Sequence, residues 1–240
     1  MRRETENLLL LLVGVSIGLI AFSGQFTRYV KPGLLPWLIA AAVLLIALAL
    51  AAIVADIRRG GPPDHADDGH AHRGGVVWLL AVPVVVLTFV KPPPIQAHPG
   101  NPPASLTADQ AVQQQFPPLP TGGVPELSLP DVMMRAANDK RRSLDNRTIA
   151  VTAFVLHEAD GVDLGRVVII CCAADAQLAR VHLRGPAAAV AAGLGDNTWV
   201  RAEGVVTPAP RRPDLAPVPT LDAAVVAPID APANPYAYPR

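Results

Sequence analysis

Apolar residues along the first ninety positions come in three blocks. Leu8–Phe22 and Leu34–Ala55 carry no charged side chain, and Val76–Val90 is a third run interrupted by Pro83. At about 1.5 Å rise per residue, the second block is long enough to cross a hydrocarbon core of about 30 Å. The third is shorter. It follows a charged loop and precedes "KPPP", so it reads as a short or tilted span kinked at Pro83, which membrane helices tolerate when neighbours satisfy the freed carbonyl. Residues 91–124, with "KPPPIQAHPGNPPAS" and "FPPLPTGG", are too rich in proline for regular helix or internal strand. They form a semi-stiff linker.

Beyond the linker the pattern changes. "PDVMMRAAND" opens with proline and predicts a short helix over Asp131–Asn138. Period-two alternation then predicts strands at Thr148–Leu156, Arg166–Cys172 and Leu178–Arg184, with "EADGVDLG" as the turn between the first two. A short helix over Pro186–Gly193 is bounded by a proline start and a glycine stop. Thr198–Val206 and the weaker Leu221–Val226 complete the set. Three strands, a helix, then two strands is the order of an OB-type barrel, and an open sheet of another topology is the alternative. The expected fold is a membrane protein with three N-terminal transmembrane helices (spans about 8–22, 34–55 and 76–90, with a His/Asp-rich loop at 56–75). The Pro-rich linker 91–124 then leads to an OB-like barrel domain, 125–240, ending in an extended Pro-rich tail.

Charge sets the orientation. Arg2, Arg3, Arg58, Arg59 and Arg73 lie on one side of the three spans, and Arg28, Lys31 and Lys91 on the other. Five against three places the N-terminus in the cytoplasm and the C-terminal domain outside it. A signal peptide cleaved near Ala21 and Ser23 is the rival reading of the first span. The chain has 20 basic and 20 acidic residues and is 51% hydrophobic, without the basic surplus of a nucleic-acid binder. Arg180, His182 and Arg184 make a basic stripe on one strand, but no aromatic interleaves it, so it reads as a solvated outer face. There is no Gly-rich phosphate loop, no Ser/His/Asp arrangement and no paired carboxylates for acid–base work, so a non-enzymatic protein is expected. The spans hold no Asp, Glu, Lys or Arg at their centres, so the chain is not expected to conduct by itself.

Metal chemistry has two candidate locations. Cys171 and Cys172, the only cysteines, end the apolar run "VVIICC". Neighbours on a strand point to opposite faces, and their Cα atoms, about 3.8 Å apart, are too close for an ordinary disulfide, which needs roughly 4.4–6.8 Å. They are small buried residues, a soft-metal or redox site with Asp175 or His182 nearby, or sites of intermolecular disulfides or lipidation. One metal can take both only if the strand ends or bulges there. The second location is the loop "DHADDGHAH", where His65, His70 and His72 with Asp64, Asp67 and Asp68 offer donors suited to Zn²⁺ or a similar ion. The alternative there is a solvated polar connector.

"SGQFTRYVKPGLLPWL" after the first span, the His/Asp loop, "VVIICCAADA", "NTWVRAEGVV" and the closing "NPYAYPR" together resemble the YcgQ-like family of two-component membrane permease subunits. The resemblance implies an auxiliary subunit working in the bilayer with a separate polytopic permease subunit, for transport of a metal ion or small solute. In some members a His stands where this chain has Cys171, and the His/Asp loop is far richer. The rival class is a stand-alone membrane-anchored protein that binds metal or senses redox state.

Overall fold

In the computed structural model, residues 2–58, 95, 116–209 and 218–238 are described. The chain divides into two compact units, Met1–Pro93 and Pro94–Arg240. The expected third span (76–90) and the loop bearing His65, His70 and His72 lie outside the described residues.

The described part of the first unit is an antiparallel helical hairpin. Helix α1 runs Arg2–Phe22, so the polar "RRETEN" continues the helix ahead of the apolar block. Helix α2 runs Leu35–Arg58 and takes in Asp56–Arg58, which the sequence assigned to the following loop. Small residues let the two backbones approach. Ala42 and Ala49 are buried, and a Cβ on Gly14 would sit 2.9 Å from Ile46 Cγ1, so only glycine fits there without a shift. At the hairpin's open end Asn7 Nδ2 donates to Asp56 Oδ2 at 3.1 Å. Among the described residues, Pro32–Arg58 is the one helical stretch long and apolar enough to cross a membrane, with mean hydropathy 3.1, and Glu6–Phe22 is a shorter apolar helix. Signal sequences and buried core helices share that length and composition.

The second unit is a closed five-stranded barrel. Its strands are β1 (Thr148–Glu158), β2 (Gly161–Val168), β3 (Gln177–Arg184), β4 (Trp199–Thr207) and β5 (Thr220–Pro228), in spatial order β1-β2-β3-β5-β4. All pairings are antiparallel except β3 with β5. This agrees with three strands, a helix and two strands. Helix α3 (Leu129–Asn138) begins two residues earlier than the sequence pattern suggested, because Ser128 caps it, accepting from the Asp131 N–H at 3.4 Å. Helix α4 (Ala188–Ala192) follows β3. Ile149, Val151, Ala153 and Val155 of β1 share one core with Leu164, Val181, Val200 and Leu221, and α3 adds Leu129 and Val132. A bulge at Glu203/Gly204 bends β4 against β5, and Gly204 is required there: a Cβ would lie 2.2 Å from the Asp222 carbonyl oxygen.

One expectation fails in an instructive way. The second strand is Gly161–Val168, not Arg166–Cys172, and the β1–β2 turn is confined to Ala159–Asp160. The "GVDLG" residues look like turn formers but are strand. Asp163 is buried beside His182, and Gly165 leaves the room that Phe154 and Leu156 occupy. The tail, in turn, is part of the fold. Ala237 donates to the Val167 carbonyl at 2.8 Å and accepts from Ile169 N–H at 3.0 Å. Buried Tyr236 thereby joins Phe154, Leu156, Val167, Ile169 and Leu178 in a second core outside the barrel.

One surface pair ties the end of β1 to the loop before β4. His157 Nδ1 lies 2.8 Å from Asp196 Oδ1. The hydrogen bond to Asp196, then that to the Ala192 carbonyl, raise the His157 pKa above its ordinary 6.5, and the same contact lowers Asp196 below 3.8. The histidine's contribution is full below 6.5 and is lost as pH rises through its folded value. The aspartate's contribution is present above 3.8 and is lost as pH falls through its own folded value. The pair therefore stabilises most between 3.8 and 6.5. Melting curves should show Asp196→Asn furthest below wild type near pH 5 and closest at pH 9. A gap independent of pH would contradict this.

Candidate metal centre

Strand β2 ends at Val168, and a single 3₁₀ turn, Ala173–Asp175, precedes β3. The chain between reverses around one side chain. Asp175 Oδ1 accepts from the Ile170 N–H at 2.9 Å, Asp175 Oδ2 from the Cys171 N–H at 2.8 Å, and both oxygens are reached by the Cys172 N–H at 3.4 and 3.3 Å. A carboxylate clasping three successive amides cannot coexist with extended strand. The alternation that would send the two cysteines to opposite faces is thus broken. Cys171 Sγ, Cys172 Sγ and an Asp175 carboxylate oxygen lie within 4.8 Å of one another. Both thiols are free, Cys171 exposed and Cys172 half-buried.

Two sulfurs and a hard oxygen at this spacing suit Zn²⁺, or a softer ion held mainly by the thiols. Metal–sulfur bonds of about 2.3 Å hold two sulfurs about 3.8 Å apart at a tetrahedral angle, a spacing inside the bound on this group. The thiol chemistry is set locally. The Asp175 hydrogen bond, then the Cys172 neighbour, push the Cys171 thiol up to about 11, so it holds its proton at neutral pH. Desolvation raises Asp175, but hydrogen bonds from the Cys171 side chain and from the backbone outweigh it and leave the carboxyl below its ordinary value.

Of the other ligand candidates, His182 is not part of this group. It sits five positions along β3 from Gln177, the residue paired with Val168, which is about 16 Å at strand rise. Its Nδ1 lies 2.6 Å from Asp163 Oδ1. Asp163 is 1% exposed, and burial raises its carboxyl against the lowering effects of His182 and Arg180. Arg180 also reaches Glu158 at 3.2 Å. The stripe read as a solvated basic face is therefore partly exposed and partly paired: half-buried Arg180 and His182 meet Glu158 and Asp163, and Arg184 is exposed. Arg166 reads from the sequence only as the start of a strand. Its guanidinium donates to the carbonyls of Thr152, Asn234 and Tyr236 and lies 4.6 Å above the Trp199 ring, which fastens the tail to the barrel. One arginine inside the apolar run "GRVVII" was the available signal.

Residues 131–239, the span holding the Cys-Cys-Asp group and the whole barrel, match the family model of the DUF1980 C-terminal domain. That match supports a DUF1980-type family. No curated protein and no solved structure matches the chain.

Because Cys171 is protonated at neutral pH, loading a metal must displace its proton. Affinity for Zn²⁺, measured by competition with a chromophoric chelator, should rise about tenfold per pH unit between pH 6 and 8 for each thiol proton displaced. Asp175→Ala, which releases the turn and removes a donor, should weaken binding at least about tenfold at every pH. A flat profile, or an Asp175→Ala protein that binds like wild type, would contradict the assignment.

Proposed function

We propose that this chain is the auxiliary subunit of a two-component membrane permease and that its barrel presents a thiolate–carboxylate site to a metal ion outside the cytoplasm. The observation that carries the reading is the convergence of Cys171, Cys172 and Asp175 within 4.8 Å on an accessible turn. An exposed three-donor site leaves coordination positions open, which suits exchange of an ion better than a closed structural centre does. The apolar hairpin supports a bilayer anchor: Trp37, Val43, Leu44 and Leu48 of α2 are exposed, as lipid contact requires.

In this reading Val76–Val90 is a third span, the N-terminus is cytoplasmic, and the barrel is an OB-like domain on the exoplasmic side. The His65, His70 and His72 loop is then a second, looser cation-gathering segment. The resemblance to the YcgQ-like family supplies the partner, a polytopic permease subunit that carries the transport path these spans lack. The role is one of binding and delivery, without catalysis and without nucleic acid.

Two measurements on the full chain test the reading. Purified reduced in detergent, it should bind one Zn²⁺ or Cu⁺ per chain at micromolar concentration through the cysteine turn. Cys171→Ser and Cys172→Ser should each lose at least about tenfold in affinity while retaining the wild-type circular dichroism spectrum. Purified from native membranes, it should bring down a polytopic partner in stoichiometric amount. Neither ion binding would remove the metal role, and repeated absence of the partner would remove the permease role.

A further inference from the structure

The barrel wall opens where β1 and β2 part. β1 pairs with β2 only from Phe154 to Glu158, and its earlier residues pair with β4 instead. Each freed edge is covered by a short extra segment. Glu126 bridges Ala150 beside β1, and Ala237 bridges Val168 beside β2. Between these segments lies a pocket of about 440 Å³, lined among others by Glu126, Thr152, Arg166, Ile229, Tyr236 and Tyr238. That volume falls within the range of small-molecule sites, roughly 300–1,000 Å³.

The pocket holds two opposite charges, Arg166 and Glu126, which attract each other without forming a direct ion pair. The Arg166 guanidinium is hydrogen-bonded only to backbone carbonyls, its buried Nε has no hydrogen-bond partner among the described residues, and desolvation lowers its pKa against the raising effect of the Glu126 charge. Exposed Glu126 is anchored by the Thr152 hydroxyl at 2.9 Å. Each charge is thus fixed by neutral groups, while Leu127, Ile229 and Pro232 supply apolar wall. A purely anionic ligand would meet the Glu126 carboxylate, and a purely cationic one the Arg166 guanidinium. A molecule with both signs on a small apolar body complements the two at once.

We infer that this pocket binds a small zwitterion of the α-amino-acid type, its carboxylate toward Arg166, its ammonium toward Glu126 and its apolar body against Ile229 and Pro232. The site is separate from the cysteine turn and needs no metal.

The test uses three probes of one shape: leucine, 4-methylpentanoate (which lacks the amine) and 3-methylbutylamine (which lacks the carboxylate). Equilibrium dialysis against the detergent-solubilised full chain should give leucine binding at least tenfold tighter than either truncated probe. Arg166 also fastens the tail, so its replacement risks the fold. Glu126→Gln, on the exposed rim, is the informative variant, and it should weaken leucine about tenfold to the level of 4-methylpentanoate while leaving the latter no weaker. The inference is overturned if no probe binds at millimolar concentration, if leucine binds no better than its truncated forms, or if Glu126→Gln leaves leucine binding unchanged.

Discussion

The Asp175 carboxylate accepts from three consecutive backbone N–H groups, those of Ile170, Cys171 and Cys172, and the character of the second unit's surface follows from that clasp. Charge-assisted hydrogen bonds are roughly twice as strong as neutral ones, and here they end a strand whose apolar run would otherwise continue. Without the clasp, adjacent thiols on a strand face opposite ways and cannot share an ion. With it, two sulfurs and an oxygen converge. The geometry belongs to a turn, and the turn belongs to one side chain four positions beyond Cys171.

The rest of the barrel supplies the fixed platform. Strands β2 and β3 are paired from Asp163–His182 to Val168–Gln177, so both ends of the cysteine turn are held in register. On the outer face Tyr236 packs with Val167, Ile169 and Leu178, while Arg166 bonds the tail's carbonyls. The tail is therefore a structural strap over the strand that leads into the turn. The buried Asp163 with its His182 and Arg180 neighbours sits at the other end of the same pair of strands. There His182 meets Asp163 Oδ1 at 2.6 Å, while the buried Oδ2 lies 3.8 Å from Arg180 without a hydrogen bond; among the described residues the cysteine turn is the group whose donors converge as metal ligands.

Much of this was legible in the sequence, for physical reasons. The number and order of strands and helices in the barrel unit follow from the alternation around Ile149–Val155 and Val200–Glu203, and from proline and glycine at helix ends. The apolar blocks around α1 and α2 declare themselves by length. What the pattern missed came from residues whose local preference was overridden by packing. Asp163 and Gly165 read as turn formers, yet one is buried beside a histidine and the other makes room for Phe154 and Leu156. Moving that strand forward is what removed Cys171 and Cys172 from it. Residue type alone groups His182 with the cysteines, although the register separates them. The tail's role was hidden because a proline-rich segment gives no periodic signal, and only Tyr236 and the Arg166 opposite it hint at docking.

On the proposed reading, neighbouring cysteines bind one ion together because Asp175 folds them to the same side. X-ray absorption at the zinc edge, on the full chain loaded with one equivalent of Zn²⁺, tests it most directly. The account predicts two sulfur scatterers at about 2.3 Å with the remaining positions filled by oxygen or nitrogen at about 2.0–2.2 Å. A shell with one sulfur or none would contradict it.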